Sequence, residues 1–249
     1  MSVRVISWFS CGAASAVATK LAIKEHGSVT PVYCDTGAEH IDSKRFMVDC
    51  EEWLGTKITV IQSQKFESTW EVWEKRHYLA GVSGAPCTKE LKVSPREDFQ
   101  RPDDLQIFGY TADAPDVARA KRFEERFYEV DSEFPLIQHG LTKEACLAMI
   151  ESAGIELPIL YGLGFRNNNC IPCVKATSPS YWALIRQEFP AEFDRMVILS
   201  RKLGARLCRI EGERAFIDEI PVDQPTTNPL VPSCDFLCSL ATQDIEEEA

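Results

Sequence analysis

The chain has 249 residues, 45% of them hydrophobic and 26% charged, and a net charge of −11. That length suits one α/β domain with an appendage or two small domains, and the acid excess argues against non-specific nucleic-acid binding, which relies on clustered Lys and Arg. No apolar run is long enough to cross a bilayer, and the N-terminus leads into a strand without a signal-peptide layout; a cytoplasmic protein with no membrane partner is expected.

In chain order, the β-branched Val3, Val5 and Ile6 read as a buried strand. The chain then turns through Ser10-Cys11-Gly12 into a helix, Ala13 to Lys24. A small-residue turn between strand and helix lets backbone N–H groups approach a phosphate, and the helix N-terminus adds positive potential. Ser10, Cys11, Gly12, Ala13 and Ser15 are therefore candidate nucleotide ligands, although the same layout is a plain connection in many α/β proteins. Val29 to Cys34 reads as a second strand, with Asp35-Thr36-Gly37 at its carboxyl end. Ligands of open parallel sheets bind there, so Asp35 is expected to face a nucleotide or its metal; the same triplet is also good turn chemistry.

A helix is expected over Ser43 to Leu54, capped by Asp42 or Ser43 and stopped by Gly55. A third strand follows at Lys57 to Ile61. The next helix, Ser68 to Arg76, carries Trp70 and Trp73 at a spacing that reads as core packing. Leu105 to Tyr110 is a fourth strand, and the loop from Gly109 to Pro115 leads into a helix bearing Arg119, Lys121 and Arg122. Alternating elements of this length predict a doubly wound parallel sheet. Further helices are expected from Thr142 to Gly154, Tyr181 to Phe189 and Pro190 to Gly204. A hairpin of Arg206 to Ile210 with Ala215 to Ile217 follows, then an irregular stretch from Pro221 to Pro232. The acidic end from Asp244 to Glu248 reads as a solvated tail. The expected organisation is an α/β nucleotide-binding domain over 1–160, with a helical and irregular region over 161–249 packed on it.

Ten cysteines are many for a reducing compartment. Cys34, Cys50, Cys146 and Cys208 lie in apolar patterns and read as small buried hydrophobes. Cys170 and Cys173 form a C-x-x-C that can hold one metal from a single turn, and Asn167, Asn168 and Asn169 beside it are candidate donors to metal-bound sulfur. Cys87, Cys234 and Cys238 stand in polar or Pro-bearing contexts and are the other candidates for chemistry.

Several blocks resemble one family. Ser10, Gly12 and Ser15 match the S-x-G-x-x-S of the PP-loop in the adenine nucleotide alpha hydrolase superfamily, with Cys11 where a Gly is common. Asp35-Thr36-Gly37 resembles the D-T-G block of sulfonucleotide reductases. Gly109 and Arg119 resemble the G-x-R block and its downstream Arg, with Thr111 where the first Arg is usual. The segment from Ala85 to Pro95, with Cys87, resembles the cysteine block of cluster-bearing adenylyl-sulfate reductases, whose second half is a C-x-x-C; Pro86 replaces one of two tandem cysteines. The chain is thereby identified as a member of the phosphoadenosine phosphosulfate (PAPS) reductase family.

That resemblance implies a Rossmann-like fold that binds an adenine nucleotide (ATP, APS or PAPS) through Ser10 to Ser15, with Asp35, Thr36, Gly37, Gly109 and Arg119 nearby. It implies a [4Fe–4S] cluster, or alternatively zinc, on Cys87, Cys170 and Cys173, with Cys234 or Cys238 as fourth ligand or one iron left open. Cys234 also resembles the tail nucleophile of the reductases, so Cys234, Cys238 and Asp35 are the catalytic candidates. A reductase would call on a thioredoxin-like reductant. Alternatives are an ATP-dependent sulfurtransferase, the one reading with a nucleic-acid partner, and a non-catalytic nucleotide-binding accessory protein.

Overall fold

The computed structural model describes residues 3–234 and the helix backbone over 236–246. Five strands, β1 (Val5–Phe9), β2 (Val29–Asp35), β3 (Thr59–Gln62), β4 (Leu105–Phe108) and β5 (Ser132–Glu133), form one sheet in the order β3-β2-β1-β4-β5. Every pairing is parallel, with Phe9 opposite Tyr33 and Trp8 opposite Phe108 at the carboxyl ends. The order reverses at β1, which opens a crevice beyond its end. This is the expected α/β doubly wound sheet. β1 runs three residues later than Val3 to Ile6 suggested at its far end, because Trp8 and Phe9 each pack on one face.

One face is covered by α1 (Ala13–His26), α2 (Asp42–Leu54) and, from further along the chain, α8 (Lys143–Ser152). Small side chains from Ala13 to Ala18 make α1 a strong helix former and let both the sheet and α8 close on it, so that this turn is buried all round. Its Thr19 hydroxyl is satisfied by Ser7 (2.7 Å) and by the Ser15 carbonyl (2.7 Å). α2 starts at Asp42, with Ile41 rather than Asp42 or Ser43 at the cap, because the Asp42 carboxylate is taken by Arg45 (2.7 and 3.0 Å) and the Ile159 N–H (2.9 Å). Gly55 ends it with φ +70°, as expected of a helix stop.

After α3 (Thr69–Arg76), capped by Ser68, comes a helical run that the sequence pattern did not announce: α4 (Pro86–Thr88), a π-helical turn (Lys89–Val93) and α5 (Ser94–Phe99). The Ser94 N–H bonds to the Lys89 carbonyl five residues back, the widened turn often found at functional sites. α6 (Ala114–Arg126) and α7 (Pro135–Gln138) complete the sheet's flanks.

Past α9 (Ile159–Gly162), the chain loops through the cysteine pair, with a cis Ile171–Pro172 bond, into α10 (Pro179–Glu188) and α11 (Pro190–Lys202). The hairpin is β6 (Cys208–Ile210) with β7 (Glu213–Ala215), tighter than expected because Glu211 and Gly212 both take positive φ. These elements share a core with Trp73 and Leu79 of the first half. A last helix, α12 (Phe236–Glu246), buries Cys238 and Ala241 against α1 and α8, with Ile245 partly packed there. The expected solvated tail is therefore a docked helix as far as it is described; Asp235 and residues 247–249 lie outside the described residues. No described helix is long and apolar enough to cross a membrane.

Candidate active site

The carboxyl ends of β1 and β4 meet the start of α1 across glycines. A Cβ on Gly109 would lie 2.8 Å from Ser15 Cα and 2.9 Å from Ser15 N, so only glycine lets β4 approach this closely. A Cβ on Gly12 would lie 3.1 Å from the Tyr161 hydroxyl. Cys11, where a Gly is common in the PP-loop, takes φ +55°, the left-handed region that glycine favours. The Ser10 and Gly12 N–H groups donate to Ser15 Oγ (3.0 and 3.4 Å), and the Ala13 N–H donates to the Tyr161 hydroxyl (3.3 Å). The turn thus presents converging donors to oxygen atoms.

Opposite stands an irregular wall, residues 164–178, held by contacts across the fold. Asn168 Nδ2 donates to the Cys11 carbonyl (2.6 Å) and to Ser43 Oγ (3.0 Å). Asn167 Oδ1 accepts from Lys143 Nζ (2.9 Å). These two amides serve the loop and a lysine rather than sulfur. The Ile171 N–H donates to the Ala38 carbonyl (2.8 Å), and Glu39 bridges Cys170.

Between the walls lies a cavity of about 870 Å³. Lys92, Arg119, Lys143, Arg166 and Lys175 line it, against Asp116 as the one carboxylate among the described lining residues. In a chain of net charge −11, this is a strong local reversal of sign. Arg119 lies over the Tyr110 ring (5.4 Å) and pairs with Asp116 (3.2 Å). Joined to the cavity through Trp8, Ser10, Lys92 and Phe108 is an apolar pocket of about 170 Å³ that also reaches Tyr33 and Arg96. Arg96 Nε is buried there without an acceptor among the described residues.

Cys87, Cys170 and Cys173 line a third, smaller pocket of about 80 Å³ with Thr36, Trp73 and Lys92. Burial pushes the Cys170 thiol up to about 12; Lys92 opposes this, Glu39 adds to it, and the Thr36 hydrogen bond opposes it. Burial likewise raises Cys87, against the Trp73 indole N–H. That N–H has no acceptor within hydrogen-bonding geometry among the described residues, which suits a thiolate sulfur at Cys87. Burial pulls the Lys92 ammonium down, but Cys170, Glu39, Cys34 and Cys173 together hold it above the ordinary lysine value. Three thiols, a buried cation and an unsatisfied donor fit a soft metal centre. The three sulfurs do not all lie within 4.8 Å of one another, since the one group of ligand-type side chains that close together among the described residues is Glu25, His26 and Glu133.

Other sequence candidates are placed differently. Asp35 accepts from the Gly37 N–H (2.9 Å) and Gln62 Nε2 (2.9 Å) and borders none of the three pockets, so the turn role prevails over the nucleotide-facing one. Thr36 donates to Glu39 (2.5 Å) and lies 2.9 Å from the Cys170 sulfur. Gly37, at φ +63°, is demanded by space, because a Cβ would sit against the Glu67 carbonyl. Thr111 is buried and bonded to Asp113 (2.9 Å) and Asp116 (3.1 Å). Cys234 and Cys238 form a disulfide. The Cys238 sulfur lies 3.8 Å from the Ala145 carbonyl on α8, and neither tail cysteine borders the cysteine pocket. The expected fourth ligand, Cys234, is thus held by its own partner in the tail, and a disulfide sulfur is not a thiolate ligand.

Sequence reasoning passed over Lys143, Tyr161, Arg166 and Lys175, which lie in no motif. Lys92 carried a signal, since it lies in the segment from Ala85 to Pro95 that holds Cys87. Glu39 carried a weaker one, standing two residues after Gly37.

The family model described as phosphoadenosine phosphosulfate reductase domain matches residues 4–176, more than half of the chain. No curated protein matches it. Among solved structures, phosphoadenylyl-sulfate reductase from Candida auris, in a phosphate complex, is similar at 14% identity and a TM-score of 0.49, covering 66% of this chain and 80% of that one.

Proposed function

Because the chain belongs to the phosphoadenosine phosphosulfate reductase domain family, we propose that it binds an adenine nucleotide and acts as a sulfonucleotide reductase-like enzyme. The observation that carries this reading is the cavity of five basic side chains beside the S-x-G-x-x-S turn in an acidic chain. In this reading the base enters the aromatic pocket, where the unsatisfied Arg96 Nε offers a donor. The anionic end lies between the turn's N–H groups and Arg119, Lys143, Arg166 and Lys175. A thiolate attacks the sulfur of the adenylated sulfate, and the nucleotide leaves as an anion that these cations stabilise. Thiols then reduce the resulting thiosulfonate, with a thioredoxin-like partner as the source of the electrons. Cys87, Cys170 and Cys173 would hold a [4Fe–4S] cluster or zinc, which when bound would supply a Lewis-acidic metal ion beside the anion. Lys92, which borders all three pockets, orients the anion toward that side.

A second reading, an ATP-dependent sulfurtransferase acting on a nucleic-acid base, is favoured by Thr111. Its hydroxyl is tied to two aspartates where a substrate-gripping Arg is usual in the family. Sulfite released from APS or PAPS supports the reductase; pyrophosphate released from ATP only with RNA or DNA present supports the transferase. For either, Gly12→Val should abolish nucleotide binding by meeting Tyr161 and blocking backbone approach. Calorimetry showing unchanged ATP, APS and PAPS affinity in that variant would sink the nucleotide site.

A further inference from the structure

The tail cysteines differ from every other cysteine of the chain. The remaining eight are free thiols, while Cys234 and Cys238 are bonded to each other. The bond closes a loop of so few residues that its effect on the unfolded chain is at the low end for disulfides. The two sulfurs also have unequal settings. Cys234 is exposed, while Cys238 is fully buried against α1 and α8.

The segment just before the pair docks beside the cationic cavity. The Ser233 N–H donates to the Glu144 carbonyl (3.2 Å) in the first turn of α8, and the preceding Lys143 lines the cavity. Seven residues earlier, Thr227 lines the same cavity, with its hydroxyl donating to the Gly164 carbonyl (2.8 Å). A Cβ on Gly164 would sit against the Thr227 carbonyl, so the strap is pressed onto the irregular wall. A seven-residue segment reaches at most about 24 Å when extended, enough to carry Cys234 from its seat over the cavity mouth while Thr227 stays in place.

We propose that Cys234 and Cys238 are an internal redox pair, in which Cys234 takes the sulfonate and Cys238 resolves it. This rests on the reductase reading above. The Cys234 thiolate attacks the sulfate sulfur; the S–S bond of a thiosulfonate forms and the S–O bond to the nucleotide breaks, with the electron pair leaving on the nucleotide. The Cys238 thiol then attacks the Cys234 sulfur and gives up its proton. The Cys234–Cys238 disulfide forms, and sulfite leaves with the electron pair of the broken S–S bond. The two thiols are oxidised by two electrons and the sulfur is reduced from sulfate to sulfite. An external dithiol reduces the disulfide and restores the pair. The observed disulfide is the oxidised state of this cycle, and the thioredoxin-like partner meets an exposed disulfide sulfur instead of a thiosulfonate.

The test uses full-length protein, reduced with dithiothreitol, freed of reductant under anaerobic conditions and mixed with APS or PAPS without added thiol. Wild type should release one equivalent of sulfite per chain, and thiol titration should show the loss of two thiols, mapped by mass spectrometry to the tail peptide. Cys238→Ala keeps the buried site small and apolar. It should release nucleotide, retain the sulfonate on Cys234 and lower the first-turnover sulfite yield at least about tenfold, with recovery on adding dithiothreitol. First-turnover sulfite undiminished in Cys238→Ala, or sulfite released by wild type without tail oxidation, overturns the internal pair and leaves the reductase reading standing. No nucleotide release from either sulfonucleotide by wild type, even with excess dithiothreitol, overturns the reductase reading and this inference with it.

Discussion

The two walls of the cavity are built differently. The wall at the ends of β1 and β4 is fixed by backbone: Gly109 lets Ser15 approach within contact, and the Ser10 to Ala13 turn is held by its own helix. The wall over residues 164–178 has no helix or strand of its own and is held by side chains and single backbone bonds from distant segments, notably Asn168 to Cys11 and Ile171 to Ala38. A backbone-built wall is intolerant of any added atom and indifferent to most side-chain chemistry. A wall held by side chains fails one partner at a time.

The largest expected effect tests the first wall. Gly109→Val places carbon atoms against the backbone of α1, which cannot yield without moving the turn. Nucleotide affinity should fall at least about 100-fold, close to 3 kcal/mol of binding, and calorimetry showing less than a few-fold loss would mean that the close approach is not what shapes the site.

The cysteine pocket beside the second wall should break without the first wall. Cys87→Ser and Cys170→Ser should each lower bound iron or zinc by more than half in anaerobically prepared protein, while nucleotide affinity changes less than about threefold. Truncation before Cys234 should leave the metal content unchanged, because the tail pair docks on α1 and α8. Metal analysis in which the truncation empties the site would restore Cys234 as a ligand.

Asn168→Ala couples the walls. It removes the donors to Cys11 and Ser43 from a buried position, leaving the Cys11 carbonyl without that donor, at a cost of about 1–3 kcal/mol of stability. Nucleotide affinity should fall about tenfold while metal content holds. Equal losses of nucleotide and metal in titrations of this variant would show one rigid site in place of two walls.

The smallest effect on the site is expected from a control remote from both walls, which acts on stability alone. Burial pushes the Asp104 carboxyl up, but hydrogen bonds from Arg4 (2.6 Å) and the Arg101 N–H (2.6 Å) outweigh it and hold its pKa below the ordinary value. A depressed folded pKa contributes stability above the unfolded value of about 3.9 and loses it as pH falls through the folded value. Asp104→Asn should therefore cost about 2 kcal/mol at neutral pH, with the difference from wild type closing below about pH 4. Urea unfolding at both pH values checks this; a difference that persists in acid would assign the cost to packing.

The sequence by itself determined four of the sheet's five strands and the first wall. Val3 to Ile6, Val29 to Cys34 and Leu105 to Tyr110 announce strands because local pattern and burial agree there. Gly12, Ser15 and Gly109 are legible because a backbone approach leaves a glycine or a small hydroxyl at a fixed distance from a strand end. Gly37 and Gly55 are legible for the same reason, since each stands where a left-handed turn or a crowded carbonyl excludes a side chain. Only the tertiary structure decided the second wall and the fate of the motif residues that chemistry had singled out. Asp35 has turn chemistry and a strand-end position, and nothing local says which of these prevails; Gln62, from the neighbouring strand β3, claims its second oxygen. Lys143, Arg166 and Lys175 look like ordinary surface cations until the fold gathers them around one cavity. The tail cysteines find each other and α8, not the C-x-x-C, because α12 has Cys238 and Ala241 to bury and the first core offers them α1 and α8. Pairings at such separations in the chain leave no periodicity in the sequence, since they are fixed by which surfaces remain uncovered once the sheet has formed.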